Sequence, residues 1–289
     1  MVNDVVTIAT YRRGNTLRPQ KRGKWTVSVN NMQVVLLCGG MGTRIREETE
    51  YRPKPMVEIG GRPILWHIMR HYSSFGAKRF LLCTGYKGQM IKDYFLNYRE
   101  AARDLEICLS SGTTKLMGNA DELPAWSVII QDTGVDTLTG TRLKHAMKYI
   151  DDDIFLATYG DGVANVDIDA IIEHHKNSGK LATVTAVRPS SRFGELDIAG
   201  DSVTSFIEKP QTAEGWINGG FFVLNKKIFD DMPLESNITL EQGVLERLAA
   251  AGELGVYRHD GFWQCMDTYR ELCLLEDYWK SGKAPWKTW

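Results

Sequence analysis

The apolar residues fall into short unbroken runs separated by glycine-rich or polar stretches. Val34-Val35-Leu36-Leu37, Arg79-Phe80-Leu81-Leu82-Cys83-Thr84, Ser127-Val128-Ile129-Ile130, Ile154-Phe155-Leu156-Ala157-Thr158 and Leu181–Val187 each have strand length. A strand that is apolar at consecutive positions is buried on both faces, which is the habit of a parallel sheet covered by helices. Between these runs the period lengthens toward that of a helix. Ile64-Leu65-Trp66-His67-Ile68-Met69 follows Pro63, a residue suited to the first helical turn. Residues 89–103, 141–149 and 167–178 read as further helices, and 106–124 reads as irregular. The alternation predicts an α/β fold with a mixed, mainly parallel sheet and helices on both faces.

After Pro189 the rhythm changes. Residues 193–209 read as a hairpin, Phe221-Phe222-Val223-Leu224 as a strand, 240–251 as a helix, 255–259 as a strand and Tyr269–Lys280 as a closing helix. The stretch 190–289 is expected to elaborate the same sheet, not to form a second domain. Residues 1–31 lack periodicity and carry Arg12, Arg13, Arg18, Lys21, Arg22 and Lys24 against Asp4 alone. They are expected to form a disordered basic arm preceding one domain over 32–289.

Composition narrows the field. The chain of 289 residues is 43% hydrophobic and 25% charged, which is ordinary for a globular protein. No apolar run reaches the ~18–20 residues of a membrane span. Net charge is −1, without the basic excess of a nucleic-acid binder. Cys38, Cys83, Cys108, Cys265 and Cys273 are odd in number and scattered, with neither a disulfide framework nor zinc spacing. A reducing, cytoplasmic setting fits them.

Candidate chemistry begins just past the first strand, at Leu37-Cys38-Gly39-Gly40-Met41-Gly42-Thr43-Arg44. Ligands of open α/β sheets sit beyond the carboxyl ends of strands. Three glycines let the backbone approach a ligand and present N–H groups to phosphate oxygens, with the Thr43 hydroxyl and the Arg44 fork beside them. A plain tight turn explains the same glycines. The loop lacks the Gly-Lys-Ser/Thr ending of a P-loop, and Ile45 stands where the dinucleotide fingerprint needs its third glycine. Lys54 lies between Pro53 and Pro55, so it is held on a stiff segment, facing either phosphate or solvent. Asp161 sits between Gly160 and Gly162 at a strand end, as a ligand for a hard cation or as a turn residue. Asp267 reads locally as an N-cap for the last helix. Glu208-Lys209-Pro210 and Asn218-Gly219-Gly220 read as turns, with the amide and carboxylate mix that sugars favour as the other reading.

Together these segments resemble the sugar-1-phosphate nucleotidylyltransferases, over about residues 32–289. The likeness rests on the glycine loop, Pro53-Lys54-Pro55-Met56-Val57-Glu58-Ile59-Gly60-Gly61, Tyr159-Gly160-Asp161-Gly162, Arg192-Phe193-Gly194, Glu208-Lys209-Pro210, Asn218-Gly219-Gly220-Phe221-Phe222 and Met266-Asp267-Thr268. Trp66-His67-Ile68-Met69 and the closing Lys283–Trp289 are similar to its cytidylyl branch.

The resemblance implies a Rossmann-like sheet and nucleotidyl transfer from CTP to α-D-glucose 1-phosphate, giving CDP-glucose and pyrophosphate with Mg²⁺. It implies a homo-oligomer with no nucleic-acid or membrane partner. Leu37, Cys38, Gly39, Gly40, Met41, Gly42, Thr43 and Arg44 would hold the triphosphate with Lys54. Thr133, Arg142 and Gly160 would line the nucleotide pocket. Asp161 and Asp267 would ligate the metal, and Glu208, Lys209, Asn218 and Gly219 would face the sugar phosphate. Arg44, Lys54 and Asp161 would carry the catalysis. Cys38 in place of Ala and Thr141 in place of Gly depart from the usual pattern.

Overall fold

The computed structural model describes residues 29, 32–43, 45–118, 123–189, 195–199, 202–207, 215–230, 232 and 237–289. Arg44, residues 192–194, Glu208 and Lys209 lie outside the described residues, as does all of 1–31 except Val29. Val29 is buried and its carbonyl accepts from the Met32 N–H at 2.9 Å.

Seven strands form one sheet: β1 (Gln33–Cys38), β2 (Arg79–Thr84), β3 (Ser127–Asp132), β4 (Ile154–Tyr159), β5 (Ala182–Val187), β6 (Ile217–Asn225) and β7 (Leu254–His259). Their order is β7-β5-β6-β4-β1-β2-β3. Pairs β1–β2, β2–β3, β1–β4 and β5–β7 are parallel, and β6 alone runs against its neighbours. The sheet is therefore mixed and mainly parallel, as the runs of apolar residues predict. Strands added after residue 190 extend the same sheet.

β1 shows why unbroken apolar runs mean two covered faces. Val34, Leu36 and Cys38 enter one core with α1 (Ile64–Ser74) and the closing helix, while Val35 and Leu37 enter the other with α3 (Thr139–Ala146). The chain runs outward from β1 to β3, then returns to β4 on the other side of β1. This reversal leaves a crevice at the carboxyl ends of β1 and β4. It is the crevice that positions the site.

Three expectations change. The helix expected over 89–103 breaks into α2 (Gly88–Leu96) and a short turn at Tyr98–Ala101. At the break the Asn97 side chain donates to the Asp93 carbonyl at 2.8 Å, competing with the backbone ladder. The stretch expected to be irregular contains a hairpin, Leu105–Cys108 against Thr113–Leu116. Its apolar residues are exposed and so gave no burial pattern to read. The helix expected over 240–251 opens as a π turn, Leu240–Leu245, capped by Thr239, before α5 (Glu246–Ala250). After these, α4 (Ile168–Ser178) and α6 (Tyr269–Lys280) match the predicted spans closely.

Candidate functional site

Lys54 opens a 3₁₀ turn, Lys54–Met56, fixed by Pro53 and Pro55, and is only 8% exposed. Its ammonium donates to Asp161 Oδ2 at 2.7 Å and to Asp267 Oδ1. Burial pushes this pKa down, but the two carboxylates overturn that and hold it above its usual value. The stiffened lysine therefore points inward.

The two aspartates lie 106 positions apart in sequence. A short antiparallel ladder joins them, with Gly162–Ala164 pairing Trp263–Cys265, and the Met266 N–H donates to the Asp161 carbonyl at 2.8 Å. Asp267 is not the helix cap. Thr268 caps α6 in a capping box with Glu271, which also takes the Asp267 N–H at 2.7 Å. The Asp267 carboxylate is thereby left to face the crevice.

Two cavities meet at Asp161. The first, of about 560 Å³, is lined by Leu37, Cys38, Gly39, Gly40, Met41, Gly42, Lys54, Arg142, Gly160 and Asp161, together with 135–139, Tyr159, Thr239 and Glu241. Among the described residues, no acceptor takes the N–H groups of Gly39 to Thr43. Gly42 holds φ +63°, a conformation that disfavours a side chain, and its carbonyl accepts from Thr49 Oγ1 at 2.9 Å. The loop is thus pinned while its donors stay available. Thr43 is exposed on the loop and does not line the cavity.

Arg142 reaches this cavity, but its fork is engaged with the protein. It donates to the carbonyls of Thr84, Gly134, Gly39 and Val135 and to Thr133 Oγ1, at 2.6–3.1 Å. It fixes the wall of the cavity by tying three loops together. Thr133, buried and bonded to the Thr84 carbonyl at 2.6 Å, is part of the same clamp. Burial pushes the Cys38 thiol well above its usual pKa, so it stays protonated and is no nucleophile.

The second cavity, of about 420 Å³, is lined by Asn218, Gly219, Gly220, Asp161, Asp267 and Trp263, among others. A register shift in the β5–β6 pairing falls beside these glycines. Gly220 has φ +79°, and a Cβ there would sit 2.5 Å from the Tyr159 ring. Trp263 Nε1 donates to the Gly219 carbonyl at 2.7 Å. Tyr159 and Glu241 line both cavities. The Tyr159 hydroxyl donates to Glu241 and accepts from Asn218 Nδ2 at 3.2 Å. Burial and then the Glu241 carboxylate raise the Tyr159 pKa, so the phenol remains a donor.

Tyr159, Trp263 and Glu241 were missed in the sequence. Tyr159 sits beside the Gly160-Asp161 signal, but Glu241 carries no local mark. A larger cavity of about 610 Å³ lies where α3 meets β3, with Gln131, Thr133 and Lys144 in its wall. It holds neither Asp161 nor Asp267, so volume alone does not locate the chemistry.

Asp161 and Asp267 keep 31% and 26% of their side chains exposed. Among the described residues no cluster of three or more His, Cys, Asp or Glu could hold a metal alone. Two open carboxylates fit a hard divalent cation whose shell is completed by phosphate oxygens and water. The Lys54 ammonium already shows that a cation is stable between them.

The chain matches the family model described as nucleotidyl transferase over residues 33–280. It is 50% identical over 259 residues to the glucose-1-phosphate cytidylyltransferase of Salmonella typhimurium, covering 89% of this chain and 100% of that protein. It is 30% identical to the D-glycero-alpha-D-manno-heptose 1-phosphate guanylyltransferase of Aneurinibacillus thermoaerophilus, covering 75% of this chain and 84% of the relative. The solved structure of HddC from Yersinia pseudotuberculosis, complexed with GMP-PN, aligns with TM-score 0.62 at 25% identity, covering 86% of this chain and 99% of that one. A crevice between β1 and β4, a glycine loop with open donors and a lysine between two carboxylates are thus found in a chain that belongs to the nucleotidyl transferase family.

Proposed function

We propose that the protein transfers a cytidylyl group from CTP to α-D-glucose 1-phosphate, giving CDP-glucose and pyrophosphate. The observation that carries this reading is the meeting of two cavities at Asp161, which shares the Lys54 ammonium with Asp267, in a chain half identical to a glucose-1-phosphate cytidylyltransferase. One cavity offers backbone N–H groups suited to a triphosphate. The other offers amide, phenol and carboxylate groups suited to sugar hydroxyls.

No protein nucleophile is needed. A phosphate monoester has its second pKa near ~6, so the sugar phosphate is mostly dianionic at neutral pH. Its oxygen attacks the α-phosphorus of CTP in line. The new P–O bond forms as the bond to the bridging oxygen breaks, and pyrophosphate leaves with that electron pair. The chain's task is to align two polyanions and offset their repulsion. The glycine loop orients the triphosphate, with Arg44 beside it in sequence. Lys54 carries a fixed positive charge to the α-phosphoryl oxygens. Asn218 and Gly219 orient the sugar, with Glu208 and Lys209 assigned to the same half. Asp161 and Asp267 would hold Mg²⁺, which when bound neutralises charge developing on the phosphate oxygens.

Pyrophosphate release, measured with glucose 1-phosphate and each of the four ribonucleoside triphosphates plus dTTP, tests the reading. CTP should give the highest kcat/KM. Preference for UTP or dTTP would reassign the base, and no release with any of them would make the chain a nucleotide-sugar-binding regulator.

A further inference from the structure

Away from the crevice, Arg62, Arg70 and Arg103 surround a pocket of about 180 Å³ walled by Trp66, Tyr98 and Pro124. It shares no lining residue with either cavity at the aspartates. Guanidinium groups stay charged across the working pH range, so three together repel one another unless an anion intervenes. Among the described residues none of the three is in an ion pair. The Nε atoms of Arg70 and Arg103 are buried without an acceptor. Buried donors in native proteins are nearly always met by protein, water or an ion.

The walls are built, not incidental. Trp66 Nε1 donates to the Tyr98 hydroxyl at 2.8 Å, which fixes the indole and leaves the phenolic proton to be donated elsewhere. Arg62 and Arg70 lie 5.6 and 5.7 Å from the Trp66 ring centre, and Arg70 also lies 5.8 Å from that of Trp289. Stacking of this kind holds a guanidinium plane while leaving its edge for hydrogen bonds. That edge matches the oxygens of a phosphate group two at a time. The volume is below the ~300 Å³ at which drug-sized ligand pockets begin, so a nucleoside does not fit inside.

We propose that this pocket binds one phosphate group, either inorganic phosphate or one end of pyrophosphate, between Arg70 and Arg103 with Tyr98 as a further donor. The site is separate from the active centre and does not depend on the assignment of the reaction. Calorimetric titration of the full chain with inorganic phosphate, and separately with pyrophosphate, tests it at low ionic strength. The crevice is itself assigned to phosphate groups, so this pocket is read in Lys54→Ala, which should keep phosphate binding, and the arginine variants are compared in that background. The double variant Arg70→Gln/Arg103→Gln should bind it at least tenfold more weakly. If that variant does not fold, Arg70→Lys/Arg103→Lys keeps the charge but loses the forks, and should still bind several-fold more weakly. Tighter binding of phosphate than of pyrophosphate at this site supports the free ion as the source, and the reverse supports the diphosphate. No binding by wild type, equal binding by the arginine variants, or complete loss of binding in Lys54→Ala would overturn the proposal. So would a changed oligomeric mass in the arginine variants with no phosphate bound to wild type, which would assign the trio to a subunit contact.

Discussion

Two buried basic groups in this molecule meet opposite fates. Lys54 at the crevice and His67 beneath the C-terminal tail are both buried, and burial penalises the charged form of each. At the crevice two carboxylates overturn that penalty, and Lys54 stays protonated with its pKa raised. Beneath the tail, burial prevails. His67 Nε2 meets the Ile59 carbonyl at 2.8 Å and Nδ1 meets the indole N–H of Trp286 at 3.3 Å, and the pKa falls to about 4. His71 repeats the arrangement with the Val166 carbonyl and also falls to about 4. An indole can only donate, so His67 must accept at Nδ1, which only a neutral ring can do. The solvation cost is shared, and the neighbours decide whether charge survives. One region keeps its charge between two carboxylates, and the other removes it to seat a strap.

Breaking the charged half should have the largest effect. Asp161→Asn leaves the shape but removes one of two carboxylates that hold Lys54 and would hold the metal. Turnover should fall by at least about 10³-fold, read as pyrophosphate release with Mg²⁺ present, while circular dichroism stays native. Wild-type turnover would reject the metal role of Asp161. Lys54→Ala should cost somewhat less, about 10²-fold in kcat, in line with the loss of one preorganised charge contact. An unchanged kcat there would mean that the ammonium serves only to balance the two aspartates.

The two regions also differed in how far they could be read in advance. The glycine loop and the proline-stiffened Lys54 are local devices, and each lies where its pattern put it. The Asp161–Asp267 pair is not local. It depends on a three-residue ladder between Gly162–Ala164 and Trp263–Cys265 and on Thr268 taking the capping role. No spacing rule carries that. Arg142 was expected to line the nucleotide pocket; it borders that cavity, and its five hydrogen bonds go to the protein, because the ends of β2 and β3 leave carbonyls there that a buried fork satisfies. Glu241 enters from a π turn that no pattern announced. The seat of the tail is not local either, since Trp286 and His67 are 219 residues apart and nothing in either stretch marks the other as its partner.

In the neutral half, Trp286 carries the packing. It is fully buried and stacks on Phe262 with ring centres 5.7 Å apart. Trp286→Ala should destabilise the chain by about 3–5 kcal/mol, with kcat nearly unchanged at temperatures where it stays folded. Denaturant midpoints would measure it. A loss below 1 kcal/mol would mean that the tail rests on the fold without supporting it.

The smallest effect is the one that tests the comparison most directly. His67 and His71 have folded-state pKa values near 4, against 6.5 for an ordinary imidazole. As pH falls through 6.5 the unfolded chain takes up protons that the folded chain refuses until about 4, so stability declines across that window and is fully present above it. At a pH one unit below 6.5 each imidazole should cost roughly 1 kcal/mol. Lys54 has the opposite sign, since its folded pKa is raised, and it lends no acid sensitivity here. Glutamine can donate to the Ile59 carbonyl and accept from Trp286 without titrating. His67→Gln should therefore flatten the fall in Tm between pH 7.5 and 5.5 by about its own share. Equal slopes in wild type and variant would show that His67 is charged in the folded protein, and that the contrast with Lys54 is false.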